Sequence, residues 1–383
     1  MAPKQHLPLL TPLRGFAAGF VVLYHILHLF PALQPAQGTS AFFDKGFLWV
    51  DLFFILSGFV MLHSYQNSFQ IVPQAATYKK FMIARFCRIY PLHFVTLSVL
   101  FSLEVFKLFV SGRETPAFGS NESSLIGLIS QLFLLQAVNL TPYLSWNIPS
   151  WSIGAEWVTY LFFPFLVAPI SRLRVRSVLI LCTFLLSFIT LLGYKYNTMD
   201  ITHDLGFLRC MLEFCFGAGL YRLYKLYFSQ NPVSSFRLGL ILAVALFTLH
   251  SAHSWWIEVA VVALFGALVL AGAASQNRLA EVLDNKFTNF LGDISYSIYM
   301  WHYIFIYFLC LDKLAISRRF SDMNFIESLI SCLGVFTLLI LTSHVSFRLI
   351  ELRLGKALKN WLSQPRSRPK SNLAPIHDQQ ASL

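Results

Sequence analysis

Apolar positions in this chain come in long unbroken runs rather than in alternation, and the runs recur along almost its whole length. Ten of them, at about 8–30, 43–65, 88–110, 151–170, 177–194, 205–222, 237–251, 255–273, 289–311 and 325–349, approach the roughly 17–25 residues a helix needs to cross some 30 Å of hydrocarbon. They predict ten transmembrane helices. An eleventh stretch, 124–139 (SLIGLISQLFLLQAVN), is shorter and carries two Gln and an Asn, which suits a re-entrant or interfacial helix better than a crossing. The predicted fold class is therefore all-α, a polytopic transmembrane bundle. No internal repeat of 20–50 residues and no inverted half-repeat is visible. The bundle is expected over residues 1–350, and 351–383 read as a basic, disordered cytoplasmic tail.

Composition agrees with the runs. The 383 residues are 56% apolar and 12% charged, against about 25% charged in a soluble domain. Phe alone contributes 38 residues, more apolar surface than a water-soluble fold of this length could hide. The formal charge of +11 lies in loops and tail rather than in one stripe, which argues for membrane lipids and anionic ligands and against nucleic acid. Lys79, Lys80, Arg85 and Arg88, then Arg172, Arg174 and Arg176, then Arg222, Lys225 and Arg237, and then Arg278 and Lys286 fall on one side only if 124–139 does not cross. The positive-inside rule then puts both termini in the cytoplasm, with the Lys313, Arg318, Arg319 loop as the exception. The six cysteines show no CxxC pair and read as helix-packing residues, not as a disulfide framework or a metal site. The N-terminal run carries an Arg and lacks a small-residue cleavage site, so it is expected to stay as the first helix.

Ionisable residues inside such runs are where chemistry is expected. In LLTPLRGFAAGFVVLYHILHLF, Arg14 and His25 are eleven residues apart, on one face and about 16 Å apart along the axis. Arg14 is either an interfacial anchor or a functional cation. His25 is either an interhelical hydrogen-bonding group or a general base, and His28 reads as interfacial. Gly15 and Gly19, with Ala18, would admit a close neighbouring helix. Asp51, in WVDLFFILSGFVML, needs a cationic partner facing the bundle, and Ser57-Gly58 reads as a point of close packing. In KKFMIARFCRIYPLH, Arg85 and Arg88 are one turn apart and can clamp a phosphate or simply mark the cytoplasmic side, with Tyr90 following. No Walker or GxGxxG loop occurs. WNIPSWSIGAEWVTYLFFP holds Trp146, Trp151 and Trp157, suited to an interface or a sugar-stacking wall, and Glu156, a base or a dipole-matched acid. LGDISYSIYMWHYIF places His302 inside the ninth span, and Glu351 beside Arg348 and Arg353 reads as a structural ion pair.

These stretches, in this order, resemble the acyltransferase 3 family of integral-membrane acyltransferases. The resemblance rests on Arg14-Gly15 with His25, on VDLFFILSGF, on RFCRIYP with its Arg85-x-x-Arg88 pair, on WSIGAEWVTYLFFP and on LGDISYSIYMWH, covering about residues 10–350. It implies a ten-helix bundle in the cell inner membrane that uses a cytoplasmic acyl-CoA, usually acetyl-CoA, with no metal. The implied acceptor is a hydroxyl of a surface or exported carbohydrate or glycolipid, such as lipopolysaccharide O-antigen or exopolysaccharide. It implies that Arg14 and His25 are the essential pair, that Arg85 and Arg88 contact the CoA phosphates, and that Glu156 is the acidic position. Where the family has E-x-P at its last helix, this chain has Glu351-Leu352-Arg353. The mechanism expected on this basis has His25, oriented by Asp51 or Glu156, take the acceptor proton while Arg14 stabilises the thioester oxygen or a phosphate. Tyr90 joins the donor side, and Trp151, Ser152 and His302 the acceptor side. A transporter or flippase using the same charges is the rival, and a non-catalytic glycolipid-binding scaffold the third reading.

Overall fold

Every one of the ten apolar runs is helical in the computed structural model, which describes residues 7, 9–34, 40–111, 124–310, 320 and 322–364. The helices are α1 (Leu10–Leu27), α2 (Ala41–Asp44), α3 (Trp49–Tyr65), α4 (Ala75–Ser111), α5 (Leu125–Leu132), α6 (Trp151–Arg172), α7 (Val175–Tyr196), α8 (Gly206–Leu223), α9 (Ser235–His250) and α10 (Trp255–Ala273). After them come α11 (Arg278–Leu283), α12 (Lys286–Asp293), α13 (Ser295–Leu309), α14 (Phe325–Ser346) and α15 (Gly355–Ser363). Among the described residues the only β pairing is a single bridge between Val233 and Ser275. Seven helical segments are long and apolar enough to cross a membrane. The other three expected crossings are helices as well: α8 carries Arg209, Glu213 and Arg222, and α9 and α13 have 16 and 15 residues.

The surface is that of a protein in lipid. On α7, Ile180, Phe184 and Leu191 share one outward stripe and are 70%, 57% and 58% exposed, a pattern water would penalise and hydrocarbon does not. The 124–139 stretch does not cross: α5 has only eight residues, about 12 Å of helix. Beyond it the chain turns through Leu134, at φ 58°, and its two glutamines face inward. Gln131 Nε2 donates to the Ser145 carbonyl (2.8 Å), Ser150 Oγ donates to Gln131 Oε1 (2.7 Å) and Gln136 Nε2 donates to the Ser150 carbonyl (2.7 Å). The polar residues that spoil this segment as a span thus tie down the chain just before α6, which fixes where α6 begins.

Close helix contacts occur where glycine allows them. A Cβ on Gly58 would sit 1.8 Å from the Phe214 carbonyl oxygen, and one on Gly217 would sit 2.0 Å from that of Ile55. α3 and α8 therefore touch backbone to backbone, as the Ser57-Gly58 pair suggested. Gly15 likewise packs on Gly292, whereas Gly19 has open space around it, so only one of the two glycines of α1 marks a contact.

Two boundaries differ from the sequence reading. α4 begins at Ala75, not near 88, and runs unbroken through Pro91. Pro91 has no N–H to give the Cys87 carbonyl, and Gly355 packs against that carbonyl instead, its position for a Cβ only 2.8 Å away. The last helix also runs past 350. A π-helical stretch, Phe347–Leu354, carries it into α15, so 351–363 are helix rather than tail. Residues 365–383 and the Lys313, Arg318, Arg319 loop lie outside the described residues.

The glycine contacts give a direct test. Gly58→Ala is expected to lower stability by about 1–3 kcal/mol through overpacking, seen as a fall of several degrees in the thermal unfolding midpoint in detergent. Gly19→Ala should leave that midpoint unchanged or slightly raised, since alanine favours helix and meets nothing there.

Candidate functional site

One cavity of about 330 Å³ lies inside the bundle, walled by α1, α3, α4, α6 and α13. α3 lines it from Val50 to Tyr65, fifteen residues on, or about 22 Å of helix. Its polar residues divide by sequence position. At the end where α3 finishes and α4 approaches stand Arg85, Arg88, Ser64 and Tyr65; at the other stand Ser152 and Tyr299, with Phe53 and Phe54. Arg14 and Glu156 also face in.

Helix geometry explains which residues arrive. On α4, Arg88 and Ile89 follow Arg85 by three and four residues and share its inward face. Tyr90 is two residues past Arg88, turned about 200° away. It stacks on Phe86 (4.4 Å between centroids) and donates to the Leu132 carbonyl (3.1 Å). Tyr90 thus anchors α5 and does not join the arginines. On α6, Ser152, Ile153, Glu156 and Tyr160 make the cavity face, while Trp151 is a 100° step aside. Trp151 lies under the Arg209 guanidinium (5.5 Å) and edge-on to Phe54 (5.9 Å). Trp146 is buried elsewhere, its Nε1 donating to the Ser124 carbonyl (3.1 Å), and Trp157 meets the edge of Phe86 (5.9 Å). None of the three tryptophans lines the cavity, so a sugar-stacking wall would not be part of it.

Three guanidinium groups consequently meet in one space with a single carboxylate. Arg85 Nη2 donates to the Tyr65 hydroxyl (3.3 Å), its Nη1 approaches Met61 Sδ (3.4 Å), and its plane faces the Tyr65 and Tyr160 rings. Arg88 is paired with Glu351, which also accepts from Ser297 Oγ. Sequence proximity had put Glu351 with Arg348 or Arg353; the wider π turn carries it inward to α4 instead. Among the described residues, no carboxylate lies within 4.0 Å of Arg14 or Arg85. Glu156 holds the Tyr160 hydroxyl, which donates to its Oε1. Glu351 offsets Arg88 from beside the cavity, and Arg14 and Arg85 still outnumber Glu156, which suits the cavity to an anion.

Asp51 is elsewhere. Its carboxylate takes both arms of Arg209, Nε to Oδ1 at 2.8 Å and Nη2 to Oδ2 at 2.7 Å, with both residues 0% exposed. Glu213, also fully buried, stands 3.7 Å from the same guanidinium. Asp51 has the cationic partner its position demanded, but an arginine has claimed both oxygens, so the expectation that it orients His25 is corrected. The signal was present: Arg209 and Glu213 interrupt the apolar run of α8 at i and i+4.

His25 does not line the cavity. Its ring lies 5.2 Å from that of His302, which is 0% exposed. His302 in turn lies 5.6 Å from the ring of Tyr299, and the Tyr299 hydroxyl accepts from Ser152 Oγ (2.8 Å) and donates to the Pro149 carbonyl (2.8 Å). Tyr299 thus stands between the cavity and the two histidines. No hydrogen bond joins Glu156 to His25, so neither carboxylate orients it. His28 faces outward, its Nδ1 2.8 Å from the Tyr24 carbonyl oxygen.

Comparison with known proteins points to one family. A family model described as an acyltransferase domain, that of the acyltransferase 3 family, matches residues 10–347. Acyltransferase MdmB of Streptomyces mycarofaciens is 33% identical over 181 residues, 46% of this chain and 43% of its own length. ORF330 of Acidianus two-tailed virus, provisionally named an acetyltransferase, is 28% identical over 310 residues, 78% of this chain and 83% of its own. Protein 2 in the picA locus of Rhizobium radiobacter is 36% identical over 115 residues, 30% of this chain and 54% of its own. The matches to MdmB and the picA-locus protein thus span about half of those relatives. No solved structure matches the chain.

The Asp51–Arg209 pair can be tested apart from function. Asp51→Ala and Arg209→Ala should each destabilise by about 3–5 kcal/mol, because each strands a buried charge. Because Glu213 shares the same guanidinium, the triple variant Asp51→Leu/Arg209→Met/Glu213→Leu should recover most of that loss in the same thermal unfolding assay.

Proposed function

The chain belongs to the acyltransferase 3 family of membrane enzymes, and from that premise we propose that it moves an acyl group from a cytoplasmic acyl-CoA to a hydroxyl of an extracytoplasmic carbohydrate. Acetyl is the family's usual donor group, and lipopolysaccharide O-antigen or exopolysaccharide is its usual class of acceptor. On this reading the protein sits in the cell inner membrane with ten crossings and both termini in the cytoplasm.

The observation that supports the donor most is the meeting of Arg14, Arg85 and Arg88 on one cavity, with Glu156 the only carboxylate among the described residues that line it. CoA carries a pyrophosphate and a 3′-phosphate, and guanidinium forks match such oxygens in pairs. Arg88, already paired with Glu351, can exchange a carboxylate for a phosphate, whereas Arg85 and Arg14 bring charge with no carboxylate to displace. Behind the arginines the wall becomes apolar at Val50, Phe53 and Ile153, a suitable bed for the thioester arm. The arm then ends near Tyr299, and His25 stands on the far side as the base that takes the acceptor proton.

Transfer from labelled acetyl-CoA to a carbohydrate acceptor, in liposomes, tests this directly. Arg85→Ala and Arg14→Ala should each raise KM for the donor about 10–100-fold, the size of one lost charge-assisted contact, and the effect should shrink as salt screens the wild-type protein. His25→Ala should keep donor affinity and lose at least 100-fold in turnover. A protein that moves no label with any donor or acceptor, yet carries substrate across the bilayer, would be a transporter and would overturn the proposal.

A further inference from the structure

α1 and α13 lie side by side in a fixed register. Gly15 packs on Gly292, where a Cβ would sit 2.8 Å from the Gly292 backbone nitrogen, and the two chains then rise together. Ten residues on in each, His25 meets His302, at the same height of about 15 Å above the glycines. The pairing therefore follows from the packing of the two helices and not from any local sequence feature.

The chemistry of His302 is constrained. Its Nδ1 is within hydrogen-bonding distance of the Tyr299 carbonyl oxygen, and a carbonyl only accepts. Nδ1 must carry the proton, which leaves Nε2 of the neutral ring as a lone-pair acceptor. That Nε2 is buried and has no hydrogen-bond partner. A buried acceptor of this kind is rarely left unpaired without a reason. The ring 5.2 Å away is His25. An N–H···N bond of about 2.9 Å, between nitrogens each about 1.1 Å from their ring centres, gives a separation near 5.1 Å. The 5.2 Å separation thus matches such a bond once the His25 ring presents a nitrogen to His302. The other candidates are absent: Asp51 is held by Arg209, Glu156 by Tyr160, and His28 turns outward. Among the described residues, no carboxylate lies within 4.0 Å of His25.

We propose that His302 is the positioning residue for His25: its Nε2 accepts a hydrogen bond from one ring N–H of His25 and so leaves the lone pair of the other ring nitrogen toward the substrate. This rests on His25 being the base of the acyl transfer. The acceptor hydroxyl gives its proton to that free nitrogen while its oxygen bonds to the thioester carbon. The carbon–sulfur bond then breaks, and the CoA sulfur leaves with the proton returned by the His25 imidazolium. His302 keeps its own proton throughout. It fixes the His25 tautomer and shares the charge that the imidazolium acquires, the part a carboxylate plays beside many functional histidines. A neutral imidazole does this without placing a buried negative charge next to the base.

His302→Ala, His302→Gln and His25→Ala separate the possibilities. Each is purified in liposomes and assayed for donor binding, kcat and KM, and histidine ¹⁵N spectra assign the His25 tautomer by difference against His25→Gln. With His302→Ala, kcat should fall about 10–100-fold, the size usual for losing a partner that orients a functional imidazole. KM for acetyl-CoA should hold, and the single His25 tautomer should become a mixture. With His302→Gln, whose amide oxygen reaches about where Nε2 lies, much of the rate and the single tautomer should return. A folded, donor-binding His302→Ala that keeps its rate within twofold, or an unchanged His25 tautomer in both variants, would overturn the assignment. An active His25→Ala would remove the base itself and the inference with it. An inactive His25→Ala beside fully active His302 variants would remove only the inference.

Discussion

α3 can offer one face to a cavity because its opposite face is fixed to α8. The fixing is unusually strict: Arg209 grips both oxygens of Asp51, both residues fully buried, and Gly58 and Gly217 bring the two backbones into contact. A single unpartnered charge at that depth would be intolerable, so the ion pair permits one relative placement of the helices and no sliding. Apolar packing alone would not do this in a bilayer, where lipid tails compete with leucine on equal terms. From that anchored helix the line from Val50 to Tyr65 becomes the spine of the cavity, and α1, α4, α6 and α13 close around it.

The arginines use a different economy. Asp51 and Arg209 neutralise one another, while Arg14 and Arg85 outnumber Glu156, the one carboxylate among the described residues that line their cavity. Charge that would be costly against lipid is acceptable in a polar cavity, where phenol rings and hydroxyls face it: Tyr65 and Tyr160 lie over Arg85, and Tyr296 over Arg88. One set of buried charges thus serves to hold the bundle together, and a second remains available to a ligand. Glu351 shows how the two are kept apart. The π turn that delivers it to Arg88 balances the arginine nearest Glu351 while Arg14 and Arg85 keep their charge.

Much of this was legible in the sequence, and the parts that were not share a cause. Length and hydropathy were enough to find the helices, and the glutamines of 124–139 marked a segment that could not cross. The spacing of Arg85 with Arg88 placed that pair on a shared face that the structure turns inward. The same helical period excludes Tyr90 and Trp151, each of which stands a turn fraction off its neighbours' face. What no local pattern could supply was partnership across the chain. Asp51 and Arg209 are 158 residues apart, and Arg88 and Glu351 are 263 apart. His25 and His302 meet only because two glycines set the register of α1 against the α12–α13 rod. Periodicity says which way a side chain points along its own helix, and it is silent on what will be standing opposite.

The central claim is that the three-arginine cavity is the donor site, and the most direct measurement is the structure of the protein in lipid nanodiscs with a thioether analogue of acetyl-CoA bound. The phosphates should lie within hydrogen-bonding distance of Arg14, Arg85 or Arg88, with the arm running along α3 so that its acyl end stops beside Tyr299. Phosphates held at another face of the bundle, or an arm that leaves the cavity away from Tyr299, would contradict it.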